Sequence, residues 1–173
     1  MPRNLEFKAK VKELKSIERI FADHGAAFVD DLRQTDTYFC VPKGRLKIRE
    51  IAGKKSEIIF YERDENSPAA MVSNYEVLPI IDSSLKNFLT DSLGMKVIVE
   101  KERRFLKMKN ARIHLDNVKG LGEFLELEIV SEGDDAGDAE LIDGLEKIVE
   151  PFVIEEISTS YSDLVIRSLG QLR

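Results

Sequence analysis

Residues 112–128 decide the fold. They read Arg112-Ile-His-Leu-Asp116, then, after a short turn, Gly120-Leu-Gly-Glu-Phe-Leu-Glu-Leu-Glu128. Successive side chains on a strand point to opposite faces. Arg112, His114 and Asp116 therefore share one face, opposite Ile113 and Leu115. In the same way Phe124, Glu126 and Glu128 oppose Leu125, Leu127 and Ile129. The glycine-containing break between the runs is a turn signal, so they read as adjacent antiparallel strands. Each has one apolar face and one bearing charge.

Working outward, the same two-residue period recurs along the chain. At residues 4–11, Asn4, Glu6, Lys8 and Lys10 oppose Leu5, Phe7, Ala9 and Val11. At 46–51, Lys47 and Arg49, with Arg45 just before them, oppose Leu46 and Ile48. At 96–107, Val97, Val99, Lys101, Arg103 and Phe105 share a face. Residues 35–41, 57–63 and 73–78 read as further strands. Leu14, Ile17, Ile20 and Phe21 have helical spacing, with His24-Gly25 as a stop. Asp82 or Ser83 is placed to cap a helix carrying Leu85, Phe88, Leu89 and Leu93, closed by Gly94. The last third reads as helical, around 141–149 and 161–169. Antiparallel strands with a few helices make an α+β domain, for which a barrel is one arrangement. The whole chain, residues 1–173, reads as a single domain. The acidic stretch 131–138 reads as a loop from strand to helix, because its spacing does not match a calcium-binding EF-hand.

Composition narrows the function. Of the 173 residues 43% are apolar, enough for a core, and the net charge is -6. A general nucleic-acid binder usually carries a basic excess, so that class is excluded. No apolar run spans a bilayer, and the first ten residues lack a signal-peptide core, so the expected location is cytoplasmic, with no membrane partner. One cysteine, Cys40, and two histidines, His24 and His114, exclude a disulfide framework and a Cys- or His-based metal site. Neither a Gly-x-Ser-x-Gly elbow nor a Walker loop occurs, so phosphate binding has to rely on side chains.

The signs on the charged faces are segregated. Cations dominate the 46–51 and 96–107 strands, whereas the final strand carries only carboxylates on that face, Glu126 and Glu128. A solvated sheet usually mixes its signs. If the sheet rolls up, these charges face inward, where they are costly unless a ligand satisfies them. A polyanion with a divalent cation does so. Arginine suits bidentate phosphate contacts, and carboxylates are hard oxygen ligands for magnesium. From the residues alone this is a metal-dependent phosphate site.

These residues in this order resemble the CYTH superfamily, the triphosphate tunnel metalloenzymes, and within it the class IV adenylate cyclase-like branch. The family opens with Glu-x-Glu-x-Lys; here the segment is Asn4-Leu-Glu6-Phe-Lys8. Gln34-Thr-Asp-Thr-Tyr-Phe39, Leu46-Lys-Ile-Arg-Glu50 and Lys101-Glu-Arg103 are similar to its next strands, and residues 112–128 to its Asp, turn and Glu-x-Glu pair. Tyr161-Ser-Asp-Leu164 resembles the carboxy-terminal helix of the cyclase-like branch. The resemblance implies a closed antiparallel eight-stranded β-barrel, a triphosphate tunnel, with helices packed outside. It implies that Glu6, Asp116, Glu126 and Glu128 bind Mg2+ or Mn2+. It implies that Lys8, Lys47, Arg49, Arg63, Lys101, Arg103 and Arg112 hold phosphate oxygens. Glu6, Lys8, Glu126 and Glu128 are the implied catalytic set. Lys10, Arg45 and His114 share these faces but are expected near an opening, held by water or supporting hydrogen bonds.

The implied substrate is ATP, thiamine triphosphate or tripolyphosphate. Conversion of ATP to cyclic AMP and pyrophosphate comes first. A triphosphatase is the alternative, and a triphosphate- or polyphosphate-binding module without turnover is a further one. Asn4 replaces the family's first Glu, and an amide coordinates cations more weakly than a carboxylate. That points to one metal rather than two, or to a different substrate. Many relatives form homodimers, although nothing in the apolar pattern here marks a dimer face.

Overall fold

The computed structural model describes residues 3–63, 71–131, 133 and 135–171. In chain order the elements are β1 (Arg3–Val11), α1 (Leu14–Asp23), β2 (Ala27–Phe39), β3 (Arg45–Ile51), β4 (Glu57–Arg63), β5 (Met71–Pro79), α2 (Leu85–Leu93), β6 (Met95–Met108), β7 (Ala111–Val118), β8 (Gly122–Val130), α3 (Asp135–Val149), β9 (Val153–Glu156) and α4 (Tyr161–Gly170). The strands form one antiparallel nine-stranded sheet in the order β5-β4-β3-β2-β6-β7-β8-β1-β9. The α+β class holds.

The expected closed eight-stranded barrel is corrected. Among the described residues there are nine strands, the ninth being β9, which lies in a region that reads as helical throughout. The free edge of β1 is also divided between two partners. Its amino-terminal part, Arg3–Glu6, meets β5 at Met71–Asn74, while Ala9, Lys10 and Val11 pair with β9 across a register shift. Among the described residues no single strand seals that edge along its length. The sheet is therefore a rolled trough, touching itself over one short stretch, rather than a continuous cylinder.

Alternation builds two surfaces. On the convex face, Phe7, Ala9, Ile113, Leu115, Leu125, Leu127 and Ile129 form a core with Ile17 and Phe21 of α1 and Ile142, Leu145 and Val149 of α3. Ile17 and Phe21 lie one turn apart, so α1 presents a single stripe to the sheet. In a second cluster, Tyr38, Tyr61, Val97, Val118, Phe124 and Ile157 pack with Tyr161 at the start of α4. The helix α4 starts there because Ser160 and Asp163 form a reciprocal capping box. By contrast, Ser84 caps α2 without a side-chain bond, and the Asp82 side chain accepts from the Ser84 amide at 2.8 Å. Among the described residues no helix is long and apolar enough to cross a membrane.

Candidate functional site

The concave face encloses a cavity of about 690 Å³. Strand alternation delivers Glu6 and Lys8 from β1, Lys47 and Arg49 from β3, Lys101 and Arg103 from β6, Arg112 and His114 from β7, and Glu126 and Glu128 from β8 to its wall. Register decides which charges meet. Glu6 stands opposite Glu128, and Lys8 opposite Glu126. On the other flank of β8, Arg112 faces Glu128 and His114 faces Glu126. Lys8 Nζ lies 3.6 Å from Glu126, and Arg112 Nη1 lies 3.4 Å from Glu128. Each carboxylate of β8 thus has a cation from one neighbouring strand, Lys8 of β1 for Glu126 and Arg112 of β7 for Glu128.

Two deeper carboxylates organise the remaining cations. Asp116, at 0% exposure, accepts from Arg103 Nε and Nη2, each at 2.7 Å, and from the Tyr161 hydroxyl at 2.9 Å. Lys101 Nζ is 3.6 Å away. Asp36 accepts from Arg49 Nε and Nη2, each at 2.9 Å, from Lys47 Nζ at 2.8 Å and from Gln34 at 3.3 Å. Each aspartate sits directly across a ladder from its arginine.

Burial in this field moves protons. Desolvation, reinforced by Arg49, outweighs Asp36 and lowers Lys47 to about 7. Desolvation and Arg103 lower Lys101 to about 8. Burial raises the Glu126 carboxyl, but Lys8 and Arg103 outweigh it and hold Glu126 well below the usual range. Asp116 is likewise pushed up by burial, yet Arg103 and Lys101 bring it to about 2. Burial and Arg103 lower His114, against the pull of Glu126.

The expected site residues separate into groups. Glu6, Lys8, Lys47, Arg49, Lys101, Arg103, Arg112, Glu126 and Glu128 line one cavity. Asp116 sits behind Arg103 instead, with its oxygens committed to Arg103 and Tyr161. Arg63 ends β4 opposite Ser73, and its side chain, like that of Asn4, lies outside the described residues. Arg45 reaches Asp163 of α4 at 2.9 Å. His114, at 7% exposure, lines the cavity beside Glu126, 3.8 Å away, with its ring edge-on to Phe105.

Sequence reasoning missed Asp36 and Gln34 as members of the site. Asp36 does have a signal, since it is the one carboxylate within an otherwise neutral strand segment, Gln34-Thr-Asp-Thr-Tyr. An apolar wall was also missed. Ile59 faces Val77 and Tyr61 faces Tyr75 across the β4–β5 ladder, and all four line the cavity.

The donor chemistry fits a hard divalent cation. Glu6 and Glu128 are like charges directly opposed, an arrangement that costs a sheet and that a divalent cation, added to Arg112 beside Glu128, offsets. Among the described residues no three His, Cys, Asp or Glu side chains form a ready-made metal cluster. Magnesium does not need one: it commonly takes one or two carboxylates and fills its octahedron with water and phosphate oxygens.

A family model described as the CYTH domain matches residues 2–160. No curated protein matches. Among solved structures, the fold is similar to that of a protein of Pyrococcus horikoshii, with TM-score 0.76 and 22% identity over 93% of this chain and 98% of that one. It is similar to a candidate adenylate cyclase of Vibrio parahaemolyticus, with TM-score 0.72 and 17% identity over 94% and 97%. It is also similar to a candidate adenylyl cyclase of Hippeastrum with a dominant triphosphatase activity, with TM-score 0.65 and 15% identity over 97% and 96%. At these identities the likeness is one of fold.

Proposed function

The chain belongs to the CYTH domain family, and from that premise we propose that it is a divalent-metal-dependent enzyme acting on a triphosphate held in its cavity. The observation that carries this reading is the wall itself, where two Lys-x-Arg pairs, Lys47/Arg49 and Lys101/Arg103, share one cavity with the carboxylates of β1 and β8. Such a wall suits a polyanion that arrives with a cation.

Cyclisation of ATP is the leading reaction. The ribose hydroxyl attacks the α-phosphorus, and the bond to the β-phosphate oxygen breaks to release pyrophosphate. The apolar wall of Ile59, Tyr61, Tyr75 and Val77 supports an organic group on the substrate, because it offers a flat surface to a base. In this reading Lys8, Lys47, Arg49, Lys101, Arg103 and Arg112 bind and orient the phosphates and offset the charge that grows on them. Glu6, Glu126 and Glu128 would hold Mg2+ or Mn2+, with Asp116 supporting the site from behind Arg103. When bound, the metal supplies Lewis-acid charge at the phosphoryl oxygens and eases deprotonation of the nucleophile. Hydrolysis of the terminal phosphate is the second reading. It is favoured by the triphosphatase activity of the Hippeastrum protein, which shares this fold.

Product analysis tests both. ATP, thiamine triphosphate and tripolyphosphate are each incubated with Mg2+ or Mn2+, with Glu126→Gln as the blank. Cyclic AMP with pyrophosphate establishes the cyclase. Orthophosphate without cyclic AMP makes the protein a triphosphatase. Binding without product from any of them overturns the enzyme in favour of a triphosphate-binding module.

A further inference from the structure

We infer that Asp36 is the positioning residue of the anion-binding wall, holding Lys47 and Arg49 together as one preset cationic fork without itself touching metal or substrate. This inference rests on the triphosphate reading of the cavity.

A carboxylate offers about four acceptor sites. Asp36 fills them with protein donors: Arg49 Nε on Oδ1 and Nη2 on Oδ2, Lys47 Nζ on Oδ2, and the Gln34 amide across both oxygens. Nothing is left over for a cation, so Asp36 is no metal ligand despite its place in the wall. It is only 2% exposed, in the interior of β2, where the ladder sets it opposite Arg49. Its position is thus fixed by backbone pairing rather than by a mobile loop.

Charge accounting gives the same role. Lys47 is buried and Arg49 half-buried on one strand face, and Arg49 disfavours the charge on Lys47. One carboxylate between two cations keeps them in place and leaves one positive charge uncompensated. Arg49 spends the Nε–Nη2 edge of its guanidinium on Asp36, which leaves Nη1 for an incoming phosphate oxygen. A fork already locked pays little ordering cost when the ligand arrives. Without Asp36, the anion itself has to hold the two cations together.

The groups facing Lys47 make this role measurable. They are Asp36 and Tyr38 from β2, Arg49 from its own strand, Tyr61 from β4 and Lys101 from β6. Of these, Asp36 is the carboxylate that favours protonated Lys47, against burial, Arg49 and Lys101. Removing its charge lowers the pH at which Lys47 loses its proton. A merely structural aspartate has no such effect on ligand binding.

The experiment is calorimetric titration of tripolyphosphate, with Mg2+ present, into wild type and Asp36→Asn between pH 6 and 9. Thermal unfolding is recorded alongside. The expected result is affinity about tenfold weaker at neutral pH, the value of one charge-assisted hydrogen bond. The alkaline fall in affinity should also move to lower pH. Unchanged affinity with an unchanged pH limit overturns the inference, as does a pH-independent loss. If Asp36→Asn does not fold, Arg49→Lys carries the test, because it keeps the charge and breaks the two-point grip. It too should bind about tenfold more weakly, and wild-type affinity in that variant overturns the inference. Failure of the wild type to bind tripolyphosphate is a different outcome: it overturns the triphosphate reading, and this inference with it.

Discussion

The two Lys-x-Arg pairs are built from the same parts but tuned differently. Lys47-Ile-Arg49 is held by Asp36 from β2, and Lys101-Glu-Arg103 by Asp116 from β7. The first clamp is completed by Gln34 and by the Tyr38 hydroxyl, 3.4 Å from Lys47. The second is completed by Tyr161 of α4 and reaches Glu126, 3.5 Å from Arg103. The two lysines differ in how many carboxylates act on them. Both are lowered chiefly by burial, but Lys101 is supported by Asp116, Glu126 and Asp36 and stays at about 8, whereas Lys47 is supported by Asp36 and falls to about 7. Burial lowers both lysines, and the carboxylates that face each one offset part of that cost. The second clamp is wired to Glu126 of β8.

The strongest way to break the comparison is Glu126→Gln, which removes that wiring while keeping the side chain's shape. Turnover should fall by more than the 10–100-fold typical of losing a supporting partner at a metal site. Retention of full activity in a product assay would exclude Glu126 as a metal ligand. Next comes Arg49→Ala in the first clamp. It should weaken ATP and tripolyphosphate by about tenfold or more in equilibrium binding, through loss of charge-assisted contacts. Unchanged affinity for both would remove Arg49 from the cationic wall.

The lysine difference is sharpened by pH. Lys47 binds its proton less tightly in the folded chain than in the unfolded one, so the unfolded state holds more protons between about 7 and 10.5. The cost of burying the charged lysine is therefore fully present below pH 7 and relieved as pH rises through that window. Urea unfolding of the ligand-free protein should show wild type gaining stability relative to Lys47→Met from pH 6.5 to 9. A pH-independent gap between the two would contradict the burial of a titrating Lys47. The smallest expected effect is that of Tyr161→Phe, which removes one hydrogen bond from Asp116. It should cost about 1–2 kcal/mol in unfolding free energy and leave tripolyphosphate affinity nearly unchanged. A large loss of affinity would mean that the two clamps differ less than their partners indicate.

Much of this site was legible in residue order, and particular residues show why some was not. Lys47 and Arg49, or Glu126 and Glu128, are two positions apart on one strand, and the pleat alone puts them on one face. Asp36 is a lone acid among neutral residues, and its meaning lies in what stands across the ladder. His114 was legible as to face but not as to depth, because enclosure by Phe105 and Glu126 depends on neighbouring strands. Asp116 has the face of a cavity residue, yet Tyr161, 45 positions away, completes its enclosure.

Sequence by itself determined the strand faces, the segregation of cations from carboxylates, the α+β class and the family resemblance. All of these follow from the two-residue period of an extended chain and from local order. Only the tertiary structure decided which acid anchors which Lys-x-Arg pair, since that is set by register between strands distant along the chain. It alone decided that the sheet has nine strands and is not sealed. β5 and β9 divide the edge of β1, and where each strand returns to that edge depends on helix packing that no local pattern records.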